Sequence, residues 1–215
     1  MNDNIVEKVR NNKALSSLNT LFFNPIAELD EQFCEGFQLA LDQRKKIKPI
    51  LCPFGNNILH YALMINHPMS AYIAHRYPEL KNQKNGHGQL PIHFAAFHEN
   101  LSLDIFYPDR GITLTDDKNF TPLHIAAEKG NIQHFARLEH LAQVDNIYNA
   151  LPLHWVMKNH EENSITRCNK VLMAKKLISS SPTKYQMAQK NAIDMTPNDW
   201  MELTYSSKEI DFLLK

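Results

Sequence analysis

The sequence is poor in the features that mark several classes of protein. Its three cysteines in 215 residues are an odd number at wide spacings, which favours neither a disulfide framework nor a cysteine-based zinc site. Lys and Arg together number 23, as do Asp and Glu, so no charge excess points to nucleic acid or an anionic membrane as partner. Apolar runs such as residues 58–65 are far too short to span a bilayer, and the first residues lack the pattern of a secretion signal. These absences predict a soluble cytoplasmic chain in a reducing compartment, without membrane insertion.

One short pattern occurs five times along the chain. A turn residue is followed, five positions later, by a histidine in four stretches and by an aspartate in the last. The turn residues are Gly55, Gly88, Asn119, Asn149 and Asp194. The residues that follow, here called the signature residues, are His60, His93, His124, His154 and Asp199, at spacings of 33, 31, 30 and 45. Self-similarity at such a period is typical of repeat proteins.

The residues around each signature predict a hairpin turn followed by a helix. Gly, Asn and Asp tolerate the positive φ that a tight turn requires. Residues that suit a helix start come next, whether as N-caps (Asn57, Thr121, Thr196) or as prolines of the first turn (Pro91, Pro122, Pro152, Pro197). Leu90 and Leu151 stand where a cap is needed and cannot provide one. Second helices are predicted over residues 68–76 and 132–141, so each unit is a turn plus two helices buried by its neighbours.

Residues 121–131, TPLHIAAEKGN, resemble the consensus of the ankyrin repeat. The resemblance covers most of the chain after residue 49 and implies an all-α fold, an ankyrin-repeat solenoid of about five helix-turn-helix repeats. The repeats lie near 50–82, 83–114, 115–144, 145–183 and 184–215, and the fourth carries a polar insertion at 159–170, predicted as a loop or a helix extension. Residues 1–48 hold apolar side chains at helical spacing (Phe33, Phe37, Leu41) and are predicted to form an N-terminal helical cap.

The sequence contains no arrangement typical of catalysis, metal binding or a cofactor. The signature histidines are interpreted as structural, because the resemblance implies that they hydrogen-bond the turns. No other histidines have zinc-ligand spacing, and Cys34, Cys52 and Cys168 lack the surroundings of a nucleophile. We therefore expect a protein that is not an enzyme and needs no metal and no cofactor. The alternative is an enzyme or effector with a cryptic active site in the N-terminal segment or in the insertion of the fourth repeat.

The ankyrin resemblance implies a protein–protein interaction module, an adaptor or scaffold that binds a protein partner of unknown identity on its concave face. We expect a monomer that does not bind nucleic acid. The Asn- and Lys-rich composition is similar to that of ankyrin effectors of intracellular bacteria, which act in the host cytoplasm after secretion. The aromatic members of the implied partner-binding set are expected to be exposed anchors. The set is Phe54, Asn56, His87, Gln89, Phe97, His98, Lys118, Phe120, Glu128, Lys129, Tyr148 and Lys158.

Overall fold

The computed structural model of the chain describes residues 54–158, 164–180 and 185–214. Regular structure within these ranges consists of α-helices and short 3-10 helices, with no strand. The all-α class predicted from the sequence is therefore confirmed for the described residues. The predicted N-terminal cap (1–48) and the first part of the insertion (159–163) lie outside the described residues.

The described helices alternate between two kinds. Helices that carry a signature residue, here called signature helices, are α1 Ile58–Met64, α3 Pro91–Ala95, α5 Pro122–Lys129, α7 Pro152–Met157 and α10 Pro197–Thr204. Second helices follow them as α2 Ser70–Arg76, α4 Leu103–Phe106, α6 Phe135–Leu138, α8 Ser164–Ser180 and α11 Ser207–Leu214, with α9 Tyr185–Ala188 before α10. Short 3-10 helices span Pro78–Asn82, Ile132–His134 and Glu139–Leu141. Each signature helix packs on the next one along the chain, so one continuous core runs through the described residues.

Each signature helix begins with the same hydrogen bond. The signature residue is the third residue of the helix, and its side chain accepts a hydrogen bond from the backbone N–H that precedes the helix. At the four histidines the acceptor is Nδ1, at 3.0–3.1 Å. Asn57, Thr121 and Thr196 are N-caps, as predicted, and together with the signature residues they form reciprocal capping boxes. Leu90 and Leu151 have no polar side-chain atom, so α3 and α7 keep only the histidine half of the box.

The signature histidines also join each unit to the next one. Because Nδ1 is an acceptor, Nε2 carries the proton and donates it to a backbone carbonyl of the following hairpin. The acceptors are Gln89, Phe120, Ala150 and Gln189, at 3.0–3.2 Å. Burial lowers the pKa of His60, His93 and His154 to about 4 and that of His124 to about 3, so all four are neutral at pH 7. Their predicted structural role is confirmed.

The second helices depart more from expectation. Residues 132–141 form two 3-10 turns around the short α6 in place of one helix. In α2 the helix starts at Ser70, two residues after the predicted start. The insertion is a helix extension over residues 164–170, because α8 begins at Ser164 and runs for 17 residues.

Candidate functional site

The tips of the hairpins lie side by side and are joined through their backbones. The predicted positive φ is present at all five turn residues, with values of 52–73° at Gly55, Gly88, Asn119, Asn149 and Asp194. A backbone N–H at each tip after the first donates to a carbonyl at the tip before it, at 2.7–3.1 Å. The carbonyls are those of Phe54, His87, Lys118 and Tyr148. With Ile193 of the last hairpin these residues, each six before a signature residue, form a surface here called the tip row.

An asparagine or aspartate side chain holds the base of each hairpin after the first. Its Oδ1 accepts hydrogen bonds from the backbone N–H groups two and four residues later, at 2.8–3.3 Å. The residues are Asn85, Asp116, Asn146 and Asn191, and all four are buried. Each stands eight residues before a signature residue, and that constant spacing was the sequence signal we missed. These side chains fix the shape that presents the tip row.

The structure divides the predicted partner-binding residues by exposure. His87 and Lys118 are exposed, both in the tip row. Half-buried residues are Phe54, Phe97, His98, Lys129 and Tyr148. Buried residues are Asn56, Gln89, Phe120, Glu128 and Lys158. The first two groups remain candidates for partner contact, whereas the buried side chains are not available to a partner in this structure.

The expectation of an exposed anchor is wrong for Phe120. Its side chain is 1% exposed and its ring lies 5.4 Å from that of Trp155 and 5.6 Å from that of His124. The physical reason is its position in the hairpin. Phe120 stands four residues before a signature residue, as Asn56 and Gln89 do, and this part of the hairpin leads back to the signature helices. All three are buried. Phe120 therefore belongs to the core. Its ring contacts the tip row at Tyr148, with 6.1 Å between the two ring centres.

The C-terminal ends of the signature helices carry the other predicted contacts. Lys129 places its Nζ 4.3 Å from the ring centre of the half-buried Phe97, which is a cation–π contact. His98 uses Nε2 to bind the carbonyl of Leu63 at 2.6 Å, so one of its ring nitrogens serves the preceding unit. Burial lowers the pKa of His98. Phe97 and Lys129 are therefore the better candidates here for a partner contact.

Glu128 and Lys158 occupy equivalent places on α5 and just after α7, four residues after their signature histidines. Both were predicted to face a partner, and both are buried, with exposures of 2% and 9%. Burial lowers the pKa of Lys158 to about 8, an effect that the charge of Glu128 opposes and that of Lys170 reinforces. The two side chains lie under the extended helix α8, which supplies Lys170.

An outer cleft of about 640 Å³ opens between the second helices α4 and α6. Arg137 stacks on Tyr107, at 4.2 Å from the ring centre, and pairs with Asp104 at 3.0 Å. The other carboxylate of the cleft, Asp109, accepts a hydrogen bond from Asn82 at 2.7 Å. Because both carboxylates bind neighbouring side chains, we interpret the cleft as a junction between two units.

The described residues bring together no group of three His, Cys, Asp or Glu side chains that could hold a metal ion. In the same part of the chain, no helix is long and apolar enough to cross a membrane. No protein-family model matches the sequence, and no curated protein is significantly similar to it.

Proposed function

We propose that the chain is an ankyrin-repeat protein, a solenoid of about five units that binds a protein partner and carries out no catalysis. Support comes from the identical start of the signature helices and from the backbone hydrogen bonds between successive hairpin tips. Neighbour-to-neighbour packing of this kind is what repeat proteins use to build extended binding surfaces. In this proposal the partner lies on the concave face, and the chain acts as an adaptor or scaffold in the cytoplasm.

The tip row is the observation that carries this proposal. Backbone hydrogen bonds join each tip to its neighbour, so the side chains of the tip row are presented on a rigid support at little entropic cost. Lys118 and His87 are exposed, Tyr148 is half-buried, and Ile147 beside it is 54% exposed. An exposed aliphatic side chain next to an aromatic ring and flanked by polar side chains is typical of the centre and rim of a protein interface.

The test is affinity capture with a matched pair of variants. The variant Lys118→Glu/Ile147→Ser, here called the tip-row variant, changes Lys118 of the tip row and Ile147 beside Tyr148. It is used as bait in a eukaryotic lysate next to the full chain and the control Lys208→Glu/Leu214→Ser. Both variants replace one exposed lysine and one exposed aliphatic residue. We expect the tip-row variant to lose specific partners at least about tenfold while the control keeps them, as for an interface anchor. Equal capture by both variants would place the binding surface elsewhere.

The enzymatic alternative gains no support from the described part of the insertion. Arg167 is bound to Glu209 and to the carbonyl of Thr204, at 2.9–3.1 Å. Lys170 is 3% exposed. Arg167 therefore joins α8 to α10 and α11, which is a structural role.

A further inference from the structure

The outer cleft between α4 and α6 has the volume of a ligand site and walls that are partly apolar. Its volume of about 640 Å³ lies within the range of sites that hold small molecules. Pro108, Leu114 and Leu141 line the cleft and are otherwise buried, and Ile112, which also lines it, is 36% exposed. Every residue that lines the cleft is described, and none belongs to the tip row. The cleft is therefore a concave surface separate from the surface of the proposed function.

A β-turn held by the preceding unit presents Arg110 to the cleft. The N–H of Ile112 donates to the carbonyl of Asp109 at 3.3 Å, which closes the turn. Gly111 has a φ of 90°, which is typical of the third residue of a type II turn. Asn82 donates to the carboxylate of Asp109 at 2.7 Å and accepts from its N–H at 2.9 Å. Arg110 lines the cleft and is exposed, and within the described part of the chain it has no ion pair and no hydrogen-bond acceptor.

Tyr107 holds two further donor side chains at the same cleft. The guanidinium of Arg137 lies over its ring, 4.2 Å from the ring centre, and pairs through Nε with Asp104 at 3.0 Å. The phenol oxygen of Tyr107 lies 3.2 Å from Nε2 of His140. An arginine has five N–H donors, so the two terminal amino groups of Arg137 remain available to a ligand. A turn, α6 and the 3-10 helix Glu139–Leu141 thus bring donors to one cleft.

The hydrogen-bond donors of the cleft outnumber its acceptors. The carboxylate of Asp104 is paired with Arg137, and that of Asp109 is bound by Asn82. The formal charges of the two aspartates and of Arg110 and Arg137 cancel, so the attraction of a ligand depends on the unused donors and not on net charge. A phosphate or carboxylate group supplies the matching acceptors, because its oxygens accept parallel hydrogen bonds from a guanidinium.

We propose that the outer cleft binds a small anion in which a phosphate or carboxylate group is attached to an apolar body. The guanidinium of Arg110 and the terminal amino groups of Arg137 bind the oxygens of the anionic group. The apolar body lies against Leu114 and Leu141 and is removed from water there. Because no residue of the tip row takes part, the site needs no protein partner.

Small probe molecules test both parts of this ligand on the full chain. NMR follows the arginine Nε–H signals of 15N-labelled protein during titration with phenyl phosphate, benzoate, inorganic phosphate or benzyl alcohol, with sodium chloride at matched ionic strength as reference. We expect a saturable shift of the Arg110 and Arg137 signals with phenyl phosphate or benzoate, with a dissociation constant on the order of 1 mM. Inorganic phosphate lacks the apolar body and benzyl alcohol lacks the charge, so both should bind at least about fivefold more weakly. The phenyl phosphate and benzoate arms distinguish the two anionic groups.

A matched pair of variants locates the site. Because Arg110 has no partner in the described residues, Arg110→Gln should keep the fold and weaken the binding of phenyl phosphate or benzoate at least about fivefold. Arg76 is likewise an exposed arginine, lies over the ring of Tyr77 at 5.3 Å and does not line the cleft. Arg76→Gln should therefore leave the binding of the probes unchanged.

Three results would overturn the proposal. In the first, the arginine signals move no more with phenyl phosphate and benzoate than with chloride. In the second, Arg110→Gln binds the probes as tightly as the parent chain, which would place the anion elsewhere. In the third, inorganic phosphate binds as tightly as phenyl phosphate, which would mean that the apolar walls contribute nothing. None of these results depends on the capture experiment at the tip row.

Discussion

The signature helices and the second helices differ in regularity. Every signature helix begins at a fixed distance from a positive-φ turn residue and uses its third side chain in the same hydrogen bond. The second helices range from four residues in α4 and α6 to 17 in α8. One set is nearly uniform and the other is not.

The difference shows where the structural information lies. A signature helix is specified by residues within about ten positions of each other, through turn chemistry, capping and the Pro of the first turn. A second helix depends on what it packs against. In α4 the helix ends just before Pro108, whereas α8 is held through Arg167 to residues 37 and 42 positions away. The predictions below act first on the uniform set and then on the variable one.

Acid should disrupt the signature helices together, and this is the largest effect we expect. The pKa of each signature histidine falls from the usual 6.5 to about 3 or 4 in the folded chain. Below pH 6.5 the unfolded chain binds protons that the folded chain excludes, so the free energy of unfolding falls as the pH drops towards 4. Four such groups weaken the fold by about 5 kcal/mol per pH unit, which predicts loss of the helical circular dichroism signal near roughly pH 5.

Matched histidine variants separate this effect from general acid denaturation. In His124→Gln, the number of protons taken up on unfolding between pH 6.5 and 4 should fall by one, as measured by urea unfolding at several pH values. The exposed His75 on α2 serves as the control, because His75→Gln removes a histidine outside the signature set and should leave the free energy of unfolding at pH 7 almost unchanged. Full helicity retained at pH 3.5 would contradict the assignment of buried neutral histidines.

Truncating Phe120 should lower the free energy of unfolding by less than acid does, but still strongly. Truncating Tyr148 should lower it only slightly. Phe120 is 1% exposed and contacts the rings of Trp155 and His124, so Phe120→Ala should lower the free energy of unfolding by about 3–5 kcal/mol. Tyr148 is half-buried at the tip row, and Tyr148→Ala should cost about 1 kcal/mol. Urea unfolding of both variants measures the difference. Equal losses of unfolding free energy would mean that the positions of Phe120 and Tyr148 in the hairpins are equally buried.

Local features of the chain were predictable because the residues that cause them are close in sequence. The positive φ at Asn119, Asn149 and Asp194 follows from residue type and position. The structural role of the signature histidines followed from the ankyrin resemblance. The error at Phe120 arose because the sequence shows that a residue belongs to a hairpin but not which side of the hairpin it faces. The same limit applies to Asn56 and Gln89.

Features that depend on contacts between distant residues were not predictable. The bidentate pair between Arg167 and Glu209 spans 42 positions, and nothing near either residue indicates the other. The junction around Lys158 depends on three helices whose lengths the sequence does not give. A charged residue near the end of a helix normally reaches solvent, so the burial of Lys158 could not be expected.

The smallest predicted effect concerns the second helices and should stay local. Arg167 donates two hydrogen bonds to Glu209 at 2.9 Å and one to the carbonyl of Thr204 at 3.1 Å. Removing them in Arg167→Ala should cost about 1–2 kcal/mol, because the pair is only partly exposed and its geometry is bidentate. Hydrogen exchange should speed up in α11 and remain unchanged in α5.

Arg167 is also the main cause that lowers the pKa of Glu209 to about 2, so this pKa should rise towards 4.5 in the variant. The control is Lys190→Ala, which removes a more exposed ion pair with Asp194 and should change neither measurement. If α11 exchanged at its original rate in Arg167→Ala, the insertion would not hold the last unit in place, and the length of α8 would need another explanation.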